Sequence, residues 1–288
     1  MNRAVIFGSA GQLGQELVTE FRARGYEVTG LSRRTVDITD AVAVENSLAS
    51  IDPNVVLNAA AYNQVDIAEK EPLAAYSANA LAVRNIALAC RQLDAQLVHF
   101  STDYVFDGTL NRPYSETDAT HPLGAYAVSK LAGELYAQAY LDALVIRVSG
   151  VFGPGGVSTA RGNFPEMMLR LAKSGQTIRV VEDHVASPSF APAIASRTAD
   201  LIALKQTGVF HIGGGEAISW YNWAKLIFES ANVNAELKPT NEREYRTAAR
   251  RPKFSALSNA KLESVGVKPM PPLAETLAQY WASRPVKT

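Results

Sequence analysis

The chain opens on Arg3-Ala4-Val5-Ile6-Phe7, an apolar run that meets Gly8 and then an amphipathic stretch over residues 12–24. A strand, a glycine turn and a helix are predicted there. Residues 26–31 read as a second strand, 39–50 as a helix opening on a capping residue, and 54–57 as a third strand. The alternation continues with a long helix over 72–92, a strand over 96–101, a helix over 125–140 and a strand over 143–148. Nearly continuous apolar strands joined by helices predict a parallel sheet covered on both faces, an α/β fold.

Beyond Val148 the rhythm loosens. Residues 150–158 are glycine-rich with few apolar side chains, which marks the best candidate for a domain transition. A helix over 163–173, a strand over 177–181, a proline-bearing loop, a strand from Val209 to Ile212 and a helix over 219–231 follow, and the C-terminal segment reads as polar and proline-bearing. Two units are expected, 1–150 and 151–288, with some later segments returning to the first sheet.

Composition narrows the function classes. The 288 residues suffice for about two domains. Lys and Arg total 28 against 28 for Asp and Glu, so no net charge draws the chain to nucleic acid or an acidic membrane. Cys90 alone makes no intramolecular disulfide. The opening apolar run is too short for a signal peptide, and no apolar run nears the ~18 residues of a membrane span. The expectation is a cytoplasmic protein with neither a nucleic-acid nor a membrane partner.

Candidate chemistry begins at Gly8-Ser9-Ala10-Gly11-Gln12-Leu13-Gly14, between the first strand and the first helix. Backbone N–H groups and the positive helix end suit a dinucleotide pyrophosphate there. The G-x-x-G-x-x-G spacing departs from G-x-G-x-x-G. After the second strand stands Leu31-Ser32-Arg33-Arg34, where a fold preferring NAD usually carries an acid. An arginine pairs with a 2′-phosphate, so NADPH is the preferred cofactor, with Ser32 and Arg33 at the ribose; the alternative is a pair of solvated loop charges. Asp37 and Ile38 follow closely enough to address adenine or ribose, which leaves NADH open. Ala59, Ala60 and Ala61 end the third strand with side chains small enough for close cofactor approach, though such a cluster equally suits sheet–helix packing.

Tyr126 and Lys130 lie four residues apart on a predicted helix, hence on one face. An ammonium near a phenol brings its acidity toward the working range, so Tyr126 is suited to donate a proton to a carbonyl oxygen as hydride reaches the carbon. Thr102, ending the fourth strand, is placed to hydrogen-bond that oxygen, because ligands of open parallel sheets bind beyond the strand carboxyl ends. Weaker signals read as structural. Asn79 is expected to make a structural hydrogen bond and His99 to sit in the core. Trp220, Tyr221 and Trp223 read as domain-packing residues. Arg246, Arg250 and Arg251 suit a substrate diphosphate or a solvated basic segment equally. No metal-ligand spacing is readable.

At these residues the sequence resembles the extended short-chain dehydrogenase/reductase family, and within it the dTDP-4-dehydrorhamnose reductases. Its looser glycine pattern matches Gly8 to Gly14. More specific marks are Val65-Asp66-Ile67-Ala68-Glu69, the run from Ser101 to Gly108, Lys130-Leu131-Ala132-Gly133-Glu134, Asn163-Phe164 and Ser187-Pro188. The resemblance covers nearly the whole chain. It implies a Rossmann-type doubly wound sheet with a smaller C-terminal substrate-binding domain. The implied reaction is NAD(P)H-dependent reduction of a nucleotide-linked 4-keto-6-deoxy sugar, dTDP-4-dehydrorhamnose to dTDP-L-rhamnose. Thr102, Tyr126 and Lys130 would be catalytic, Tyr126 and Lys130 would also hold cofactor, and Thr102, Asp103, Tyr104, Tyr126 and Asn163 would bind substrate. Mg2+ enters by resemblance only, and a homodimer is compatible with the reading.

Three departures bear on the pocket: Gly150 where the family commonly has tryptophan, Asn63 for threonine and Phe190 for tyrosine. Related dehydratases carry an acid where Tyr104 stands, which argues for simple reduction. The competing readings are a sugar-nucleotide epimerase or other reductase, and a non-catalytic NADP-binding regulatory subunit like the one that accompanies methionine adenosyltransferase.

Overall fold

The computed structural model describes residues 2–159 and 162–285. Its first half runs β1 (Arg3–Phe7), α1 (Gln12–Ala23), β2 (Glu27–Leu31), α2 (Ala41–Ile51), β3 (Val55–Asn58), α3 (Val65–Ala68), α4 (Pro72–Tyr76), α5 (Ala82–Gln92), β4 (Gln96–Thr102), α6 (Ala125–Tyr140) and β5 (Leu144–Val148). The second runs α7 (Phe164–Ala172), β6 (Ile178–Val181), β7 (Val185–Ala186), α8 (Ala191–Ala203), β8 (Gly208–Ile212), β9 (Ile218–Ser219), α9 (Trp220–Ser230), β10 (Leu237–Thr240), α10 (Ala260–Ser264) and α11 (Leu273–Ser283).

Six strands form one parallel sheet in the order β2-β1-β3-β4-β5-β8. Alternating residues of each strand serve the two faces. Ala4 and Ile6 join Leu17 and Phe21 of α1 in one core, while Val5 and Phe7 join Val44 and Leu48 of α2 and Ile86 and Cys90 of α5 in the other. With both faces covered, an all-apolar strand is what the architecture requires. Since β1 has β2 on one side and β3 on the other, the chain reverses its direction of travel across the sheet there. In a doubly wound fold that switch point opens a crevice outside the carboxyl ends of β1 and β3.

The sheet is completed from beyond residue 150. β8 pairs with β5, and α8 packs on α1, where Arg24 meets Asp200 at 2.8 Å. Asp40, rather than Thr39, caps α2 by accepting from the N–H groups of Val42 and Ala43. The long helix over 72–92 is interrupted by a π-helical turn, Ser77–Leu81, which carries Asn79 inward. Asn79 accepts from Tyr62 N at 2.8 Å and donates to Tyr62 O and Ser129 Oγ at 2.9 Å, the structural role expected of it. This 21-residue stretch, Pro72–Gln92, is apolar enough by length and composition to cross a membrane, and half of its most apolar window is buried inside the fold.

Two expectations for the second half need correction. Residues 150–158 include the fully buried Phe152 and a 3₁₀ turn, Pro154–Gly156, that packs on α1 through Gly155 N and Glu16 Oε1 at 3.1 Å. The glycines serve close packing there: a Cβ on Gly155 would come within 2.7 Å of Gln12 O. The C-terminal segment, read as merely polar, contains α11. Its Leu273, Thr276, Leu277 and Tyr280 are buried at helical spacing, and Tyr280 packs edge-on to Phe152.

Candidate active site

The first side of the site is the turn after β1. Gly8 has φ +76°, and a Cβ there would approach Ala60 N to 2.6 Å, so the carboxyl ends of β1 and β3 meet in van der Waals contact. A Cβ on Gly14 would sit 2.1 Å from Gly8 O, so glycine alone lets α1 start this close to the strand. Ser9 N donates to Leu31 O, Ala59 N to Phe7 O and Ala60 N to Asn58 Oδ1, which bind the ends of β1, β2 and β3 into one edge. Helix α1 begins at Gln12 with no side-chain cap and no acid in its first turn, leaving its positive end uncompensated. Ala10 and Gly11 lie between β1 and α1, Leu13 in the first turn of α1 packs against the core, Ser32 follows β2, and Ala61 lies three residues past the end of β3.

Arg33 and Arg34 are exposed in the turn after β2. Asp37 is exposed as well, but one carboxylate oxygen already takes Thr39 N at 2.9 Å and Thr39 Oγ1 at 2.8 Å, and these bonds hold its pKa below the usual carboxylate value. Neighbouring Ile38 is partly buried against the α2 side of the core.

The second side is built on β4, β5 and α6. Thr102 ends β4 opposite Val148 of β5 and is 7% exposed. Its hydroxyl donates to Asp103 Oδ1 at 3.1 Å and accepts from Tyr104 N at 3.2 Å. Asp103, expected among the substrate contacts, is 2% exposed, and its Oδ2 accepts from Ser149 Oγ at 2.8 Å and Ser255 Oγ at 2.5 Å. With both oxygens taken by hydroxyls, its carboxylate joins the ends of β4 and β5 to the C-terminal segment. Burial raises its pKa to about 6, against the opposing pull of those hydrogen bonds.

Tyr126 lies in the first turn of α6, and Lys130 follows one turn later. Lys130 is 2% exposed and donates to Phe100 O at 2.6 Å; burial lowers its pKa to about 8, opposed by the negative charge of Glu134. Tyr104 meets Tyr126 edge-on with ring centroids 6.2 Å apart. The Tyr104 phenol is pushed up to about 12, chiefly by burial and then by Asp103, while a hydrogen bond from Arg251 pulls the other way.

Sequence reasoning missed what holds this half in place. The short α3 and the residue that caps its carboxyl end present two acids. Asp66 takes Arg251 in a two-pronged pair at 2.7 and 3.1 Å, which aims Arg251 at Tyr104. Glu69 accepts from Ala125 N at 2.8 Å at the start of α6, one residue before Tyr126. The run Val65 to Glu69 was visible as a motif, but its partners lie far along the chain and have no local signature. Arg251 is therefore engaged by an acid, whereas Arg246 and Arg250 are exposed.

Asn163 joins the two halves. It caps α7 through Glu166 N at 3.0 Å, and its Nδ2 donates to Gln12 Oε1 and Gly153 O, each at 3.0 Å. Gln12 in turn donates to Val151 O at 2.7 Å. These two candidate ligand contacts thus bond each other, and their side chains lock the glycine turn to the loop after β5. His99 is fully buried, and desolvation keeps it neutral by lowering its pKa well below the usual value. Among the described residues no group of three or more His, Cys, Asp or Glu side chains is placed to hold a metal ion.

A doubly wound sheet with a glycine turn at its switch point, Thr102 at the end of β4 and Tyr126 and Lys130 on the following α6 has the arrangement of a dinucleotide-dependent oxidoreductase of the extended short-chain type. Relatives make the assignment narrower. The family model described as "RmlD substrate binding domain" matches residues 2–284. The chain is 37% identical over 284 residues to a dTDP-4-dehydrorhamnose reductase of Aggregatibacter actinomycetemcomitans, covering 93% of this chain and 95% of that one. It is 35% identical over 285 residues to the spore coat polysaccharide biosynthesis protein SpsK of Bacillus subtilis, covering 99% and 98%. The solved dTDP-4-dehydrorhamnose reductase of Bacillus anthracis in complex with NADP superposes with a TM-score of 0.93 at 33% identity, over 98% of this chain and 99% of that one. The chain belongs to the dTDP-4-dehydrorhamnose reductase family.

Proposed function

We propose that this protein reduces the 4-keto group of a nucleotide-linked 4-keto-6-deoxy sugar with NADPH, converting dTDP-4-dehydrorhamnose to dTDP-L-rhamnose. The observation that carries the reading is Thr102 at the carboxyl end of β4 with Tyr126 and Lys130 one turn apart on α6, Lys130 bonding back to Phe100 O of the same strand. Residues 1–150 supply most of the cofactor side, and the later segments shape the sugar side.

The residues present fit a dinucleotide. The uncapped start of α1 offers backbone N–H groups to a pyrophosphate, and Gly8, Gly11 and Gly14 keep Cβ atoms out of that turn. Exposed Arg33 and Arg34 suit a 2′-phosphate, and the Bacillus anthracis relative was solved with NADP. Asp37, with an oxygen already committed to Thr39, is left as a ribose contact at most, which favours NADPH over NADH. Lys130 gives one of its three donors to Phe100 O, so the buried ammonium retains capacity for ribose hydroxyls.

When bound, the reduced nicotinamide supplies hydride. Thr102 turns its hydroxyl proton from Asp103 to the sugar's carbonyl oxygen while Tyr104 N holds Oγ1 in place. Tyr126 donates the phenolic proton that the new alkoxide requires. Lys130, charged below its pKa of about 8, favours the phenolate left behind and returns the pair to readiness as Tyr126 is reprotonated. Tyr104, a phenol held neutral to about 12, is a poor substitute for a dehydratase carboxylic acid, so reduction proceeds without loss of water. The full length of the match to reductases, together with this set, supports an enzyme over a regulatory subunit.

The test is to supply purified protein with NADPH or NADH and a panel of nucleotide-linked 4-keto sugars, following absorbance at 340 nm and product mass. Oxidation of NADPH with dTDP-4-dehydrorhamnose and a product two mass units heavier (about 2 Da, one hydride plus one proton) is expected. Unchanged cofactor across the panel would reject the activity.

A further inference from the structure

Gly150 lies two residues past Val148, which ends β5 and pairs with Thr102, and its φ is +47°. That backbone conformation disfavours any side chain. The space a side chain would take is also filled. A Cβ at Gly150 would lie 3.1 Å from Cη2 of Trp220, the far edge of an indole that arrives from the start of α9. The indole is partly exposed and packs edge-on to Phe164 of α7, with centroids 4.8 Å apart.

Its mounting is rigid. Trp220 N donates to His184 O at 3.1 Å, and Ser219 caps α9 and pairs with Val185 in the β7–β9 ribbon. Neighbouring Ser149 is bonded to Asp103 beside Thr102, and the carbonyl of Val151 is bonded to Gln12 of the glycine turn. Gly150 therefore lies between the proton-transfer group and the cofactor turn, and the indole edge reaches this point from the other half of the molecule.

We propose that Trp220 is the aromatic wall of the sugar subsite, a specificity-determining residue that presents its ring to the C–H face and C6 methyl of the keto sugar. An aromatic plate fixes a pyranose by apolar contact and leaves its hydroxyl and keto groups to polar neighbours. Gly150 and Trp220 then form a matched pair, in which the bare backbone at one position admits the ring from the other. The proposal rests on the sugar-nucleotide reading given above and is separable from it by binding measurements.

The experiment compares wild type, Trp220→Ala and Trp220→Phe by calorimetric titration with dTDP and with dTDP-L-rhamnose, alongside KM values for NADPH and for the keto sugar. The wall contributes only to the sugar part. Trp220→Ala is expected to weaken dTDP-L-rhamnose binding by about tenfold or more, the scale of one lost aromatic contact, while dTDP affinity and the NADPH KM stay within about twofold. Trp220→Phe should restore most of the loss. Equal loss for dTDP and dTDP-L-rhamnose, or no loss for either, overturns the proposal. If Trp220→Ala does not fold, Trp220→Phe and Gly150→Ala decide it: the new Cβ must displace the indole and weaken only the sugar-bearing ligand. If wild type oxidises no NADPH with the keto sugar, the reductase reading fails, while the ratio of dTDP to dTDP-L-rhamnose affinities still accepts or rejects the wall.

Discussion

Glu134→Gln tests how the tyrosine helix is charged and held. Glu134 lies one turn after Lys130 on α6, 1% exposed, and meets Arg147 of β5 at 2.7 and 3.0 Å. Arg147 is 4% exposed and lies over the Phe106 ring, 5.1 Å from its centroid. It also approaches His211 Nε2 at 3.4 Å. Burial first and then this arginine hold the His211 pKa down at about 3, so the imidazole takes on none of the charge if the carboxylate is lost. Removing one member of a buried ion pair leaves an uncompensated charge and typically costs about 3–5 kcal/mol. For a protein of this length, with unfolding entropy near 0.6 kcal/mol/K, that is a fall in melting temperature of roughly 5–8 °C.

The same substitution removes the negative charge that raises the Lys130 pKa. Lys130 should then lose its proton below pH 8, and the alkaline limb of kcat/KM should move to lower pH. Scanning calorimetry and pH-rate profiles read the two effects separately. A double replacement, Glu134→Leu with Arg147→Met, should recover much of the melting temperature, since an apolar pair costs little where the ion pair stood. A Glu134→Gln protein that melts within about 1 °C of wild type, a shift too small for a lost buried charge, and keeps its alkaline limb would rule out both roles for Glu134.

Three further outcomes follow from the same geometry. In wild type, kcat/KM for reduction should be level near neutrality and fall above pH about 8, as Lys130 loses the charge that supports the phenol; a profile flat to pH 10 would remove Lys130 from that role. Gly14→Ala forces a Cβ to 2.1 Å from Gly8 O, so the NADPH KM should rise by about tenfold or more, with calorimetry checking that the fold persists. Asp103 has a folded pKa near 6, above its unfolded value, so its protonation stabilises the fold at low pH and that stabilisation is lost as pH rises through 6. Denaturant titrations should therefore find Asp103→Asn more destabilising, relative to wild type, at pH 4 than at pH 7, by on the order of 2–3 kcal/mol. A difference independent of pH would contradict the assignment.

Much of the site was legible because its signals are local. The glycine turn stands directly between a strand and a helix, Tyr126 and Lys130 share a helix face by spacing alone, and Thr102 is marked by its place at a strand end. What could not be read depends on pairs distant in sequence. Nothing near Asp66 announces Arg251, nothing near Glu69 announces the start of α6, and nothing near Gly150 announces Trp220. The substrate contacts at Asp103 and Asn163 come from the family resemblance, and no local signal tells that Asp103 bonds Ser149 and Ser255 or that Asn163 bonds Gln12. The C-terminal segment reads as polar and proline-bearing in sequence although the buried residues of α11 recur at helical spacing, because prolines flank that helix.

In the proposed reduction the phenol of Tyr126 delivers the proton to the carbonyl oxygen. Single-turnover oxidation of NADPH by Tyr126→Phe, with dTDP-4-dehydrorhamnose in excess and NADPH affinity measured in parallel, tests it most directly. A rate lower by about 10²–10⁴-fold with NADPH affinity within about twofold is the predicted result, the usual contribution of a positioned general acid. Turnover near the wild-type rate with NADPH bound would contradict it.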